Sequence, residues 1–372
     1  MTTLSQLSDL GQAVWLDYIR RSFIRDGGLR ALIDQGVRGV TSNPAIFEKA
    51  IAGSDDYDED IKRLAGEDTS VIDIYEALAI EDIRQAADLL RPLYDRTNAR
   101  DGYVSLEVSP TLADDTAGTV ADAQRLFAAT DRPNLMIKIP ATPAGIPAIT
   151  TVIAAGINVN VTLIFSLKQY EAAAEAYIKG LEKLLAAGGA IGRTASVASF
   201  FISRVDTAVD ALLETIGRSD LLGTIAIDNA KLAYARFREI FVGDRWDRLA
   251  GAGARVQRPL WASTGTKNPA YADTMYVDSL IGPDTVNTLP PTTLQAFLDH
   301  GQASLSLDSD VEAARRRISA LSGIGINLER ITRQLLDEGV AAFAKPFEDL
   351  MISIEDKRKR LSGSGPQNTG NK

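Results

Sequence analysis

The stretch Asn134-Leu-Met-Ile-Lys138-Ile-Pro-Ala-Thr142 decides how the chain is read. Leu135, Met136, Ile137 and Ile139 form a short apolar run with strand-forming tendency, and Pro140 ends it. Lys138 lies inside that run. Stripping water from an ammonium is costly, so a strand lysine normally points at solvent from an edge. The alternative is an amine held inside, where the neutral form is a nucleophile that attacks a carbonyl to give a Schiff base. Taken alone the strand favours the solvated lysine.

Outward from this strand, short β-rich runs alternate with helical patterns. The runs are residues 13–17, 38–41 and 103–108, the lysine stretch, then 157–164, 195–200, 259–263 and 276–281. Helical spacing predicts helices over 29–35, 55–64, 69–94 with Thr69 as cap, 114–130 and 143–155. Further helices are predicted from the cap Ser166 to about 187, then over 203–216 and 222–241. After Pro290 and Pro291 only helices are expected, including 292–300 and a last one over about 328–360. Eight strands separated by helices predict an α/β fold, a closed (β/α)8 TIM barrel with additional helices and a helical C-terminal region. An open doubly wound sheet usually carries a Gly-rich turn after its first strand, whereas Asp17-Tyr-Ile-Arg-Arg stands here. No linker divides residues 1–360, which read as one catalytic domain. Residues 361–372 are poor in apolar side chains and read as a disordered tail.

Composition removes several classes of function. The net charge of −9 argues against non-specific nucleic-acid binding, although a local basic pocket could hold a phosphate. There is no cysteine, hence no disulfide, thiolate metal site or thiol nucleophile. The single histidine, His300, excludes multi-histidine metal sites. Its place at a predicted helix end, before Gly301, suits a structural or solvated cation. Neither a secretory leader nor an apolar run of about 18 residues is evident, so no membrane is expected and the cytoplasm is the default.

In a barrel, chemistry gathers at the C-terminal ends of the strands. Several proposed strands carry or end in a polar residue there: Asp17, Asn43 just beyond the second, Glu107, Lys138, Asn160 with Thr162, and Ser199. Each has an ordinary explanation. Asp17 could cap a helix, Asn43 could belong to a turn, and Glu107 could pair with a buried cation. Asn160 and Thr162 could be plain strand residues, and Ser199 could fill a barrel layer. Together they form the set that amine catalysis on a sugar carbonyl needs. The amine adds to the carbonyl, the carbinolamine loses water, and each step moves a proton. A carboxylate near a hydroxyl can position water for that relay, a second base takes the aldol proton, and amides orient hydroxyls.

These residues resemble a known family, the transaldolases. Gly39-Val-Thr-Ser-Asn43-Pro-Ala-Ile resembles the family signature near the second strand. Leu135-Met-Ile-Lys138-Ile-Pro-Ala-Thr142-Pro-Ala-Gly145-Ile resembles its Schiff-base segment, and Asn160-Val-Thr162-Leu-Ile-Phe-Ser166 the segment that follows. The resemblance runs from Leu4 to about Arg360 and is closest to the long bacterial type. It implies transfer of a dihydroxyacetone unit in the non-oxidative pentose phosphate pathway. The donors would be sedoheptulose 7-phosphate or fructose 6-phosphate, and the acceptors glyceraldehyde 3-phosphate or erythrose 4-phosphate. Lys138 would form the imine, Asp17 would be the base of the aldol step, and Glu107 with Thr162 and a water would run the proton steps. Asn43 and Asn160 would bind the dihydroxyacetone hydroxyls, with Ser199 close by.

Ser199-Phe-Phe201-Ile-Ser-Arg204 resembles a segment whose arginine holds the phosphate, which places Phe201 and Arg204 among the substrate contacts. The family often has an arginine two residues after the seventh-strand serine. Here Ser263 is followed by Thr264 and Gly265, and Lys267 is the nearest cation. Ser263 and Lys267 are therefore taken as phosphate contacts. No cofactor and no metal are implied, and a homodimer and a monomer both stay open. A related Schiff-base aldolase, a lyase releasing free dihydroxyacetone, is the competing reading. A non-catalytic sugar-phosphate-binding barrel is a third, disfavoured because pure binding has no need of a nucleophilic lysine.

Overall fold

The computed structural model describes residues 3–65 and 69–361. Eight parallel strands close on themselves in chain order: β1 Gln12–Asp17, β2 Val37–Thr41, β3 Tyr103–Glu107, β4 Leu135–Pro140, β5 Val159–Ile164, β6 Ser196–Phe201, β7 Arg258–Ala262 and β8 Thr285–Leu289. Sixteen α-helices accompany them among the described residues. The strands are buried on both faces, as expected where helices surround a barrel and side chains fill its interior. One close approach depends on glycine. A Cβ on Gly39 of β2 would stand 2.6 Å from the ring of Trp15 on β1.

Seven of the eight expected strands are where the sequence puts them. The eighth is a correction. Residues 276–281 belong to the short helix Met275–Asp278 and the turn after it, and the last strand is Thr285–Leu289. The buried residues Tyr276, Val277, Leu280 and Ile281 follow helical rather than alternating spacing. The true β8, Thr-Val-Asn-Thr-Leu, looks too polar for a central strand. Its polar groups bond inside the barrel: Thr264 Oγ1 donates to Asn287 Oδ1 at 3.0 Å, and Thr288 Oγ1 shares a hydrogen bond with Thr41 at 2.9 Å.

Smaller differences follow from caps. Ser70, not Thr69, accepts from the Asp73 N–H and starts the helix Val71–Arg96. Asn43 caps a separate helix, Pro44–Ala52, with proline at its first position. The helices Thr3–Asp9 and Asp244–Gly251 were not anticipated. The last helix runs Leu328–Leu361 and so takes in Leu361, which was expected to open a disordered tail over 361–372; the rest of that expectation, 362–372, lies outside the described residues. His300 ends the helix Pro291–His300, half exposed between Asp273 and Asp299, which raise its pKa by hydrogen bonding.

Candidate active site

Strand register brings the central groups together. Glu107 on β3 stands beside Lys138 on β4, and Lys138 beside Asn160 on β5. Lys138 is buried, at 5% exposure, which decides against the solvated strand lysine. Its Nζ lies 3.3 Å from Glu107 Oε2 and donates to the Ser42 carbonyl at 3.2 Å. The ring of Phe343, from the helix Leu328–Leu361, covers it with its centroid 5.1 Å from Nζ.

Asp17 ends β1 and accepts a 2.7 Å hydrogen bond from Thr41 Oγ1. Burial pushes its carboxyl up from the usual range, opposed by the charge of Lys138, the Thr41 hydroxyl and the charge of Lys267. Burial also raises Glu107. The charge and hydrogen-bonding capacity of Lys138 oppose this, and Asp17 adds to it. Two carboxylates thus share one central cation, and their protonation is coupled through it.

Asn160 is oriented at both ends. Its Nδ2 donates to Ser105 Oγ at 3.0 Å, and its Oδ1 accepts from Ser199 Oγ at 2.7 Å. The next inward position on β5 is Thr162, whose buried hydroxyl has no hydrogen-bond partner. Immediately after it the pairing of β5 with β6 slips, and Leu163 takes a left-handed φ of +58°. Such a bulge re-aims side chains at the end of a strand. Glu107 Oε2 likewise has no aligned hydrogen-bond donor. A cavity of about 20 Å³, enough for one water, lies beside Glu107 between Tyr75, Ser109 and Phe347. Asn43, expected among the substrate contacts, spends its Oδ1 on the helix cap, accepting from Ile46 N at 2.9 Å.

The second part of the site is a cleft of about 610 Å³ lined by Arg204, Thr207, Lys267, Arg330, Gln334 and Glu338 among others. Arg204 is half-buried in the first turn of the helix Ser203–Thr215, its Cζ 5.5 Å from the Phe201 ring centroid. Burial pushes its guanidinium below the usual value, and Glu338 opposes that. Lys267 and Arg330 are exposed. Ser263 lies at a left-handed φ of +57°, and its hydroxyl bonds that of Ser203 at 2.9 Å. It thereby ties the end of β7 to the helix that carries Arg204.

Phe343 and Arg330 were not found from sequence. Both lie on the last helix, far along the chain from every strand motif. Arg330 supplies a second arginine to the cleft in which Gly265 leaves none on the seventh-strand loop. Among the described residues no cluster of three or more His, Asp or Glu is arranged to hold a metal ion.

A closed parallel eight-stranded barrel that gathers Lys138, Glu107 and Asp17 toward the C-terminal ends of its strands has the layout of a barrel enzyme. Residues 14–354 match the model of the transaldolase/fructose-6-phosphate aldolase family. A transaldolase of Trichodesmium erythraeum is 48% identical over 96% of this chain and 98% of its own length. One from Thermobifida fusca is 51% identical over 94% of this chain and 97% of its own, and one from Thiobacillus denitrificans 48% over 95% and 100%. The chain belongs to the transaldolase/fructose-6-phosphate aldolase family. It is an enzyme of the transaldolase class, a transferase.

Proposed function

We propose that the protein reversibly transfers a dihydroxyacetone unit from sedoheptulose 7-phosphate to glyceraldehyde 3-phosphate, through an imine on Lys138, in the non-oxidative pentose phosphate pathway of the cytoplasm. The products are erythrose 4-phosphate and fructose 6-phosphate. One observation carries the reading: Lys138 Nζ is buried 3.3 Å from Glu107, under the charge of Asp17, with an unpartnered hydroxyl on Thr162. In support of the location, no described helix is long and apolar enough to cross a membrane.

The amine adds to the ketose carbonyl, and Glu107, with Thr162 and a water, carries the protons that let the carbinolamine lose water. Asp17 then removes the hydroxyl proton, the carbon–carbon bond breaks, and the aldose leaves. Its raised pKa, set by burial, suits a base that must also return a proton to the acceptor's new hydroxyl. Asn160, fixed by Ser105 and Ser199, orients the hydroxyls of the retained unit. Asn43 would contribute its free Nδ2, and Phe201 would wall the path toward Arg204. Arg204, Lys267 and Arg330 hold the phosphate, and Ser263 steadies the first turn beneath Arg204.

Borohydride reduction with fructose 6-phosphate, followed by peptide mapping, tests the imine. An adduct on Lys138 is expected, and none, or one on another lysine, overturns the assignment. Turnover of fructose 6-phosphate should be slight until erythrose 4-phosphate is added. Rapid release of free dihydroxyacetone without acceptor would instead make the enzyme a lyase.

A further inference from the structure

The last helix, Leu328–Leu361, lies across the mouth of the barrel, and its contacts there follow a single stripe. Gly339, Phe343 and Phe347 recur every four residues and so share one face. At Gly339 the helix comes close to β5, where a Cβ would meet Leu163 Cδ2 at 2.9 Å. Leu163 is the left-handed residue next to Thr162. One turn on, Phe343 is buried over Lys138 Nζ. A further turn on, Phe347 meets Tyr75 edge-on at 5.5 Å, and Tyr75 meets Phe47 at 6.0 Å. The far part of the helix is fixed by Lys357, which pairs with Asp58 at 2.5 Å and donates to the Ser54 carbonyl at 2.6 Å. Between Phe343 and Phe347 stands Pro346, which has no N–H to offer the Ala342 carbonyl. The helix is thus held on both sides of the lysine and weakened in the turn directly over it.

We infer that Phe343 is the cover of the Lys138 imine and the residue that decides whether the retained three-carbon unit meets an aldehyde or water. The inference rests on the proposed Schiff-base function and goes beyond it. After cleavage the unit stays on Lys138 as an enamine. In transfer, the enamine carbon bonds to the aldehyde carbon of the acceptor, and the aldehyde oxygen takes the proton held by Asp17. In loss, the enamine carbon takes a proton from solvent, one water adds to the resulting iminium carbon, and the C–N bond to Lys138 breaks. That releases dihydroxyacetone and restores the amine. What sets loss apart is the proton that must reach the enamine carbon in place of the aldehyde, and an aromatic ring over Nζ keeps bulk water, the source of that proton, out. The water that ends a normal cycle is a single one, handled from the Glu107 side.

The test compares wild type, Phe343→Ala and Phe343→Leu with fructose 6-phosphate, with and without erythrose 4-phosphate, and with borohydride mapping of the adduct. In Phe343→Ala, free dihydroxyacetone released per transfer should rise at least about 10-fold, with trapping on Lys138 retained. Phe343→Leu should fall between the two. It also decides the matter if the alanine variant does not fold, through a rise of several-fold over wild type. Unchanged partition in a folded variant that still traps on Lys138 overturns the cover. Absence of a Lys138 adduct in wild type instead removes the Schiff-base reading beneath it.

Discussion

Lys138 and Arg21 are both buried cations facing buried carboxylates, and their surroundings differ atom by atom. Arg21, in the short helix that follows β1, is 1% exposed. Its Nε donates to Asp82 at 2.8 Å, Nη1 to Asp60 at 2.5 Å and Nη2 to the Leu78 carbonyl at 3.3 Å. Tyr57 donates to the other oxygen of Asp82 at 2.7 Å and lies under the guanidinium at 4.4 Å. At Lys138 the ion pair is longer, Glu107 Oε2 has no aligned donor and the Thr162 hydroxyl has no partner. A satisfied buried network rigidifies, whereas a buried group without a partner carries a desolvation cost that a bound water or ligand can relieve. Burial of charge is common to both, and what distinguishes these two cations is that the carboxylates around Arg21 are fully engaged while Glu107 Oε2 beside Lys138 is not.

The sharpest break of this comparison is Lys138→Ala. Turnover should fall by at least about 10⁴-fold with loss of borohydride trapping, because the variant removes the amine held beside Glu107. Residual trapping at the wild-type level would move the nucleophile elsewhere. Arg21→Met should do the reverse. It leaves Asp82, at 0% exposure, without its cation, which costs about 3–5 kcal/mol. Denaturant titration should show that loss, while the folded fraction still forms the Lys138 adduct. If Arg21→Met left stability untouched, the network would not be the scaffold described.

Asp206 sharpens the contrast further, since it is saturated yet has no cation. It accepts from Ala226 N at 2.7 Å and from Tyr276 Oη at 2.9 Å. Burial, with smaller contributions from Asp210 and Asp228, raises its pKa from 3.8 to about 7. A carboxyl raised on folding holds its proton more tightly in the native state. Its contribution is full below about pH 4 and is lost as pH rises through about 7. The span corresponds to a loss on the order of 4 kcal/mol between those limits. Asp206→Asn can keep both contacts by accepting from Ala226 and donating to Tyr276. Its stability should therefore be flatter over that window in denaturant midpoints measured at several pH values. An unchanged slope would exclude Asp206 as the source.

What could be read in the sequence follows the same division. Strands β1 to β7 were legible because buried parallel strands are short apolar runs, and the polar exceptions within them marked the mouth. Strand β8 was not, because Thr285, Asn287 and Thr288 find their partners in Gly282, Thr264 and Thr41, which no linear pattern reveals. Lys138, Asp17 and Glu107 could be picked out as charges at strand ends. Thr41 and Ser105, which hold Asp17 and Asn160, looked like ordinary β residues. Phe343 and Arg330 lie on an amphipathic helix whose partner surface is fixed only by packing. The spacing Gly339, Phe343, Phe347 was its single local signal, and it could not say what the stripe covers.

The cleft lined by Arg204, Lys267 and Arg330, proposed to hold the phosphate, carries the comparison to cations that face water. Arg204 is half-buried, while Lys267 and Arg330 are exposed. Solvent screens an exposed charge strongly, so the three should not contribute equally. Arg204→Ala should raise the KM for fructose 6-phosphate about 10- to 100-fold, as expected for a charge-assisted contact in a partly desolvated place. Arg330→Ala should raise it only about 2- to 5-fold, leave kcat unchanged, and lose that effect in high salt. A fall in kcat at constant KM would remove Arg330 from phosphate binding. It would then be better described as part of how the last helix seats over the mouth, and the variant should share the raised dihydroxyacetone release expected of Phe343→Ala.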